Sequence, residues 1–180
     1  MVKQVAIALL SGGIDSPVAI NLLQKKYEII AVHFHQIPLT DEREREKVKE
    51  LAKHLGISKL YLISFAKVLK ELVEKCDHRY YFVLGKILMY KVAEVIAKKE
   101  DSKCLITGEN LAQVSSQTLP SMHAITLQIE MPILRPLLCM DKQEIIDSVI
   151  GHVTKNTKVI AIPHIISVYG TVMPVKEICE

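Results

Sequence analysis

Leu9-Leu10-Ser11-Gly12-Gly13-Ile14-Asp15-Ser16 follows directly on the apolar run Val5-Ala6-Ile7-Ala8. That run is continuous rather than alternating, the pattern of a strand buried on both faces of a parallel sheet. Two glycines then give way to Asp15 and Ser16, both helix-capping types, and to Pro17, which a first helical turn tolerates. Val18, Ala19, Leu22 and Leu23 form the inward stripe of a helix expected to end near Lys26. Strand, glycine turn and helix start aim several backbone N–H groups and a positive dipole end at one spot. Such a spot binds phosphate. A Walker loop would continue with Gly-Lys-Ser/Thr, and no lysine follows here.

Outward from this stretch, strands and helices alternate. A second apolar strand spans Ile29 to Phe34 and includes His33. The charge run from Thr40 to Glu46 continues into Val48, Leu51, Ala52 and Leu55, so it is an amphipathic helix capped by Thr40 or Asp41 and closed by Gly56. Leu60 to Ile63 gives a third strand. A short helix then turns Val68, Leu69, Leu72 and Val73 inward, and a longer one runs from about Arg79 to Lys99. Cys104 to Thr107 is the fourth strand. This order implies βαβ units in a doubly wound parallel sheet, a three-layer α/β/α fold in which ligands sit beyond the carboxyl ends of the strands. That rule selects Leu9–Ser16, His33–Gln36, Ser64–Ala66 and Thr107–Gln117. Met131 to Leu137 fits a short strand interrupted by prolines, and Asp141 to Ile150 a short helix. The chain reads as one domain over 1–180, with a tail from about residue 151 whose packing the pattern leaves open.

Size and composition narrow the class. A chain of 180 residues with 49% hydrophobic and 24% charged residues suits a soluble domain with a substantial core. No apolar run approaches the roughly 20 residues of a membrane span, so no membrane partner is expected. Met1 to Gln4 leads straight into the first strand and leaves no room for a signal peptide, which makes the cytoplasm the expected location. A net charge of +3 and the absence of tryptophan argue for neither a nucleic-acid groove nor a stacking platform. The cysteines Cys76, Cys104, Cys139 and Cys179 form no CxxC pair, so no metal site is expected from them and reduced thiols are the default.

The Ser11–Ser16 loop resembles the SGG-x-D-S loop of the PP-loop ATP pyrophosphatases, which cleave ATP to AMP and pyrophosphate. Three further stretches carry a narrower resemblance: Thr107 to Leu119, Ile133-Leu134-Arg135-Pro136-Leu137, and Met140-Asp141-Lys142. With the loop, they resemble the catalytic domain of the tRNA 4-thiouridine synthetases, or tRNA sulfurtransferases. Those enzymes adenylate a uridine carbonyl oxygen and replace AMP by sulfur, and the bacterial ones also feed thiamine synthesis. The resemblance runs from about Val5 to Asp147 and implies an adenine nucleotide α-hydrolase-like fold, with ATP and Mg2+ as cofactors.

Position by position, the resemblance implies that Leu9, Leu10, Ser11, Gly12, Gly13, Asp15 and Ser16 flank the nucleotide. His33 and Phe34 contact adenine, and Lys86, Gly108 and Gln117 complete the ATP site. Asp15, Asp141 and Lys142 are the catalytic candidates: Asp15 orders magnesium and phosphates, and Lys142 stabilises charge at the α-phosphate. Plainer readings stand beside these. The stretch after the fourth strand also reads as an ordinary polar loop, His33 as a core histidine, and Lys86 as a lysine that snorkels to water from among apolar neighbours. The family's RNA-binding THUMP region and its rhodanese domain have no counterpart in these 180 residues. The expected partners are therefore tRNA delivered with a separate RNA-binding chain and sulfide or a sulfur donor protein, with a homodimer possible. The family's sulfur-handling cysteine aligns near Ile166. Cys139 is the nearest thiol to Lys142 in sequence, and it reads as a small buried apolar residue. Two other functions remain open: a nucleotide-binding subunit or sensor without complete thiolation chemistry, and adenylation of a small molecule.

Overall fold

The computed structural model describes residues 3–40, 42–111, 118–150, 165–166 and 171–172. The chain divides into two compact units, Met1–Asp141 and Lys142–Glu180. In the first, β1 (Gln4–Leu9), β2 (Tyr27–His35), β3 (Lys59–Ser64), β4 (Leu105–Ile106) and β5 (Ile133–Leu134) form one sheet in the order β3-β2-β1-β4-β5. Every neighbouring pair is parallel, with Ile7 opposite both Ile30 and Leu105. The second unit contains α6 (Lys142–Ile150) and a two-stranded antiparallel pair, β6 (Ile165–Ile166) and β7 (Thr171–Val172).

Helices α1 (Asp15–Leu23), α2 (Arg43–His54), α3 (Ala66–Lys75), α4 (Tyr81–Lys99) and α5 (Leu119–Thr126) make the connections. Successive residues of a strand face opposite sides, and the core follows that alternation. Ile7, Ile30, Val32 and Leu105 pack on Tyr90, Ala93, Ile96 and Ala97 of α4 and on Ile125 of α5. Phe34 extends this face towards α3 through Phe65, Leu69 and Leu72, its ring meeting Phe65 edge-on at 5.3 Å. The alternate residues Ala6, Ala8, Ala31 and His33 are buried on the other face, where α1 packs on β1 and α2 on β2. Their small side chains let both helices come close to the sheet. On the α4 side, the buried Glu94 accepts the backbone N–H groups of Glu130 at 2.8 Å and Met131 at 3.1 Å, pinning the chain as it enters β5.

Several boundaries and faces differ from the sequence expectation. Helix α1 starts one residue earlier than a cap at Asp15 requires and two earlier than a cap at Ser16: Ile14 is its N-cap, and among the described residues no side chain caps it. Leu22, expected inward, is 44% exposed, while Ile20 is buried. The helix carries apolar residues on most sides, and the sheet decides which are covered. Val73 is likewise exposed, because α3 buries the arc of Ala66, Leu69 and Leu72. Glu42 rather than Thr40 is the N-cap of α2, and Asp41 lies outside the described residues. Gly56 does close that helix. Its φ of +67° lets its N–H reach Lys53 O while Ile57 N–H reaches Ala52 O.

Candidate functional site

In this strand order the connections leave β1 and β4 in opposite directions, which opens a crevice between the loops at their carboxyl ends. Leu9 is the last residue of β1, and Gly108 lies two residues beyond β4. The two loops meet there. A Cβ built on Gly108 would stand 2.6 Å from Ser16 N, 2.7 Å from Asp15 C and 2.8 Å from Ser16 Cα. Only a glycine permits that approach. The fourth-strand loop thus lies against the first turn of α1.

The first loop is braced from within. Ser16 Oγ, buried, accepts the N–H of Ser11 at 2.8 Å and lies 3.0 Å from Ser11 Oγ, which in turn accepts the N–H of Gly13 at 3.3 Å. A helix leaves the N–H groups of its first turn without an intrahelical acceptor. In α1 those belong to Ile14, Asp15 and Ser16, since Pro17 has none. Beside the loop stands α2, with Lys47 Cδ 3.7 Å and Glu44 Cγ 3.8 Å from where a Cβ on Gly12 would be. Neither residue carried a motif signal: Glu44 read as part of the charge run and Lys47 as part of the amphipathic helix that continues it.

Leu10, also buried, joins the loop to β2: its N–H donates to Val32 O at 2.9 Å, and its carbonyl accepts His33 Nδ1 at 2.9 Å. A carbonyl only accepts, so Nδ1 carries the proton. Burial pushes the His33 pKa down, against the opposing pull of the Leu10 carbonyl and of Glu44, and the ring is neutral. Its Nε2 is therefore a bare acceptor, and it is buried with no hydrogen-bond partner among the described residues. Phe34 points to the opposite face and packs on Phe65. The adjacent pair expected to act together is thereby split between the two sides of the sheet.

Lys86, on α4, reaches the same edge, and its Nζ donates to Glu109 Oε1 at 2.8 Å. The other oxygen of Glu109 accepts Nε of Arg135 at 2.8 Å, just past β5. Burial favours the neutral carboxyl of Glu109. The Lys86 charge, the Lys86 and Arg135 hydrogen bonds and the Tyr90 hydroxyl outweigh it and hold the pKa below its ordinary value. Sequence reasoning placed Lys86 here and missed this cluster, whose members are 23 and 26 positions apart.

The remaining candidates are scattered in what they show. Asp141 closes the first unit and Lys142 begins α6 in the second. Gln117 lies outside the described residues. Asn110, a neighbour in the same loop, is buried and donates its side-chain amide to Met140 O. Cys139 is exposed rather than buried, because it sits in the tight turns that carry Leu138 N–H to Arg135 O and Met140 N–H to Leu137 O. Among the described residues no three His, Cys, Asp or Glu side chains group as metal ligands, and no helix is long and apolar enough to cross a membrane. A separate cleft of about 640 Å³, lined by residues such as Lys3, Lys25, Tyr27 and Ile57, opens at the amino ends of the strands and holds none of these residues.

Comparison with known proteins bears on this geometry. The family model for the thiamine biosynthesis protein (ThiI) matches residues 1–175. Curated relatives named "Probable tRNA sulfurtransferase" include those of Alkaliphilus metalliredigens (strain QYMF), 45% identical, and Thermoanaerobacter sp. (strain X514), 46% identical, each over 147 residues. These alignments cover 79% of this chain and 38% and 39% of the relatives, so the chain spans less than two-fifths of their length. A crystal structure of a 4-thiouridine synthetase–RNA complex with bound ATP matches with a TM-score of 0.75 and 32% identity, over 81% of this chain and 39% of that one. The NH3-dependent NAD synthetase of Campylobacter jejuni shares the fold, with a TM-score of 0.61 at 16% identity over 81% of this chain and 62% of that one. The match along nearly the whole chain accounts for the braced loop after β1 and the glycine seated against it after β4: this chain belongs to the thiamine biosynthesis protein (ThiI) family.

Proposed function

We propose that this chain is an ATP-dependent adenylating domain that prepares a tRNA uridine for thiolation to 4-thiouridine. In the reaction, the uridine carbonyl oxygen attacks the α-phosphorus and pyrophosphate leaves. A sulfur nucleophile then attacks the activated carbon, and AMP departs with the oxygen. The observation that carries this reading is the contact of Gly108 with the first turn of α1, which joins the two ligand-edge loops into one crevice. The relatives' names and the ATP in the similar 4-thiouridine synthetase complex support it.

ATP fits the residues present. The first turn of α1 offers N–H groups and a positive dipole end to phosphate. The unpartnered Nε2 of His33 accepts a hydrogen bond, and the exocyclic amine of adenine is a donor of the right kind. Asp15 in that turn and the substrate phosphates together suit Mg2+, which is usually held by one or two carboxylates plus phosphate oxygens. Bound there, Mg2+ would neutralise phosphate charge. The loop from Leu9 to Ser16, Lys86 and Gly108 complete the nucleotide site, and the family resemblance assigns Gln117 to nucleotide binding and Asp141 and Lys142 to catalysis. The acceptor is tRNA and the sulfur comes from sulfide or a donor protein, in the cytoplasm.

Pyrophosphate release, measured with ATP plus tRNA and with ATP alone, tests the reading. Release that requires tRNA supports it, whereas equal release without tRNA assigns the acceptor elsewhere. Asp15→Ala should cut turnover at least about tenfold while AMP affinity changes little. Unchanged turnover removes Asp15 from the machinery.

A further inference from the structure

We propose that Glu109 is a positioning residue for the nucleotide site, fixing the Lys86 ammonium at the carboxyl edge of the sheet where it meets a nucleotide phosphate. The inference rests on the nucleotide reading above and adds a residue to it. Lys86 is a flexible cation on a four-carbon stem, and its neighbours on α4 include Phe82, Val83, Met89 and Tyr90, which offer its charge little. Glu109 supplies the anchor. It is 5% exposed, lies 2.8 Å from Lys86 Nζ, and directly follows Gly108, whose backbone is seated on α1. The contact that closes the crevice therefore also sets the position of the carboxylate.

Charge and exposure give the cluster its direction. One carboxylate faces two cations, Lys86 and Arg135, and burial keeps the Tyr90 hydroxyl neutral by pushing its pKa well up. The surplus is one positive charge. Arg135 is the more enclosed cation, at 12% exposed against 23% for Lys86, and its NH2 group also donates to Thr126 Oγ1 at 3.0 Å. Arg135 is held from two sides, so Lys86 is the member that presents the surplus charge outward. Glu109 thus holds a cation without cancelling the cluster's attraction for an anion.

The sign of one substitution separates this role from simple electrostatics. Removing a carboxylate beside an anion site should by Coulomb's law alone strengthen ATP binding. Positioning requires the opposite. Calorimetry with ATP–magnesium on the full chain should show Glu109→Gln weakening binding about tenfold. Lys86→Met should weaken it by a similar factor, and the double variant should be no weaker than Lys86→Met, because Glu109 acts through Lys86. A melting curve accompanies each variant. If Glu109→Gln does not fold, Glu109→Asp, which keeps the charge but shortens its reach, must show the same weakening and the same lack of additivity. Binding that is unchanged or tighter in a folded variant, or losses that multiply in the double, overturns the role. A wild-type chain that binds no ATP overturns the nucleotide reading itself.

Discussion

Replacing Gly108 by alanine tests the close approach on which the crevice depends. The added methyl would stand 2.6–2.8 Å from three backbone atoms of Asp15 and Ser16. Ordinary carbon contacts lie at about 3.5–4.0 Å, so the loop and the first turn of α1 must part by roughly 1 Å. The shift must be taken up by backbone, because the three nearest atoms among the described residues are all main-chain atoms. Overpacking of this kind costs about 1–3 kcal/mol, and each kcal/mol lowers the melting temperature of a chain this size by roughly 2–4 °C. The same displacement moves one wall of the crevice, so ATP affinity should fall about tenfold or more. Gly85→Ala is the internal control. Its methyl would meet Leu72 Cδ1 at 3.8 Å and Leu69 Cδ2 at 3.9 Å, ordinary contacts inside helix α4. There alanine should stabilise by about 0.5–1 kcal/mol and leave ATP binding alone. Urea titration and calorimetry on both variants decide the matter. A Gly108→Ala chain with wild-type stability and affinity would refute the argument.

Other outcomes follow from the same geometry. Because the folded-state pKa of His33 is lowered, the unfolded chain binds the extra proton first. Stability should therefore be full above the ordinary histidine pKa of 6.5 and decline as pH falls below it towards the folded value; a His33→Gln chain that declines equally over that range would remove His33 as the cause. Ser16→Ala strips the acceptor from the Ser11 N–H and should destabilise by about 1–3 kcal/mol, with faster amide exchange at Ser11 and Gly13; unchanged exchange at both would mean the hydroxyls do not brace the loop.

The sheet was legible because β1 and β2 are continuous apolar runs, and a parallel order follows once helices separate them. The ligand edge was legible for the same reason: it is where strands end, whatever the side chains. Faces were harder to assign. Leu22 and Val73 belong to helices with more apolar residues than one face can bury, so periodicity alone offered two stripes. Ser16 looked like a cap because its chemistry suits one, yet its hydroxyl turns back to Ser11 and closes the loop instead. Period-two alternation already separates the side chain of His33 from that of Phe34. Glu109 was out of reach, since its significance lies in Lys86 and Arg135, which only the fold brings to it. Cys139 misled because apolar neighbours in sequence suggested packing, whereas a turn turns it out to solvent.

The place of β1 in the middle of the sheet has a consequence for how the chain reaches its native state. Its first edge is paired early, by β2, but the N–H of Ile7 waits for Cys104 O, nearly a hundred residues later. Until that segment arrives, this apolar strand has an open edge of bare amides and carbonyls, the surface on which chains pair with one another. Closing it requires a long-range encounter, which is slow compared with helix and turn formation. Gly108 arrives on the same segment, so the crevice cannot form ahead of the sheet. A nascent or truncated chain ending before Leu105 should therefore be prone to aggregate, and gain of ATP binding during refolding should coincide with closure of the central strand rather than precede it.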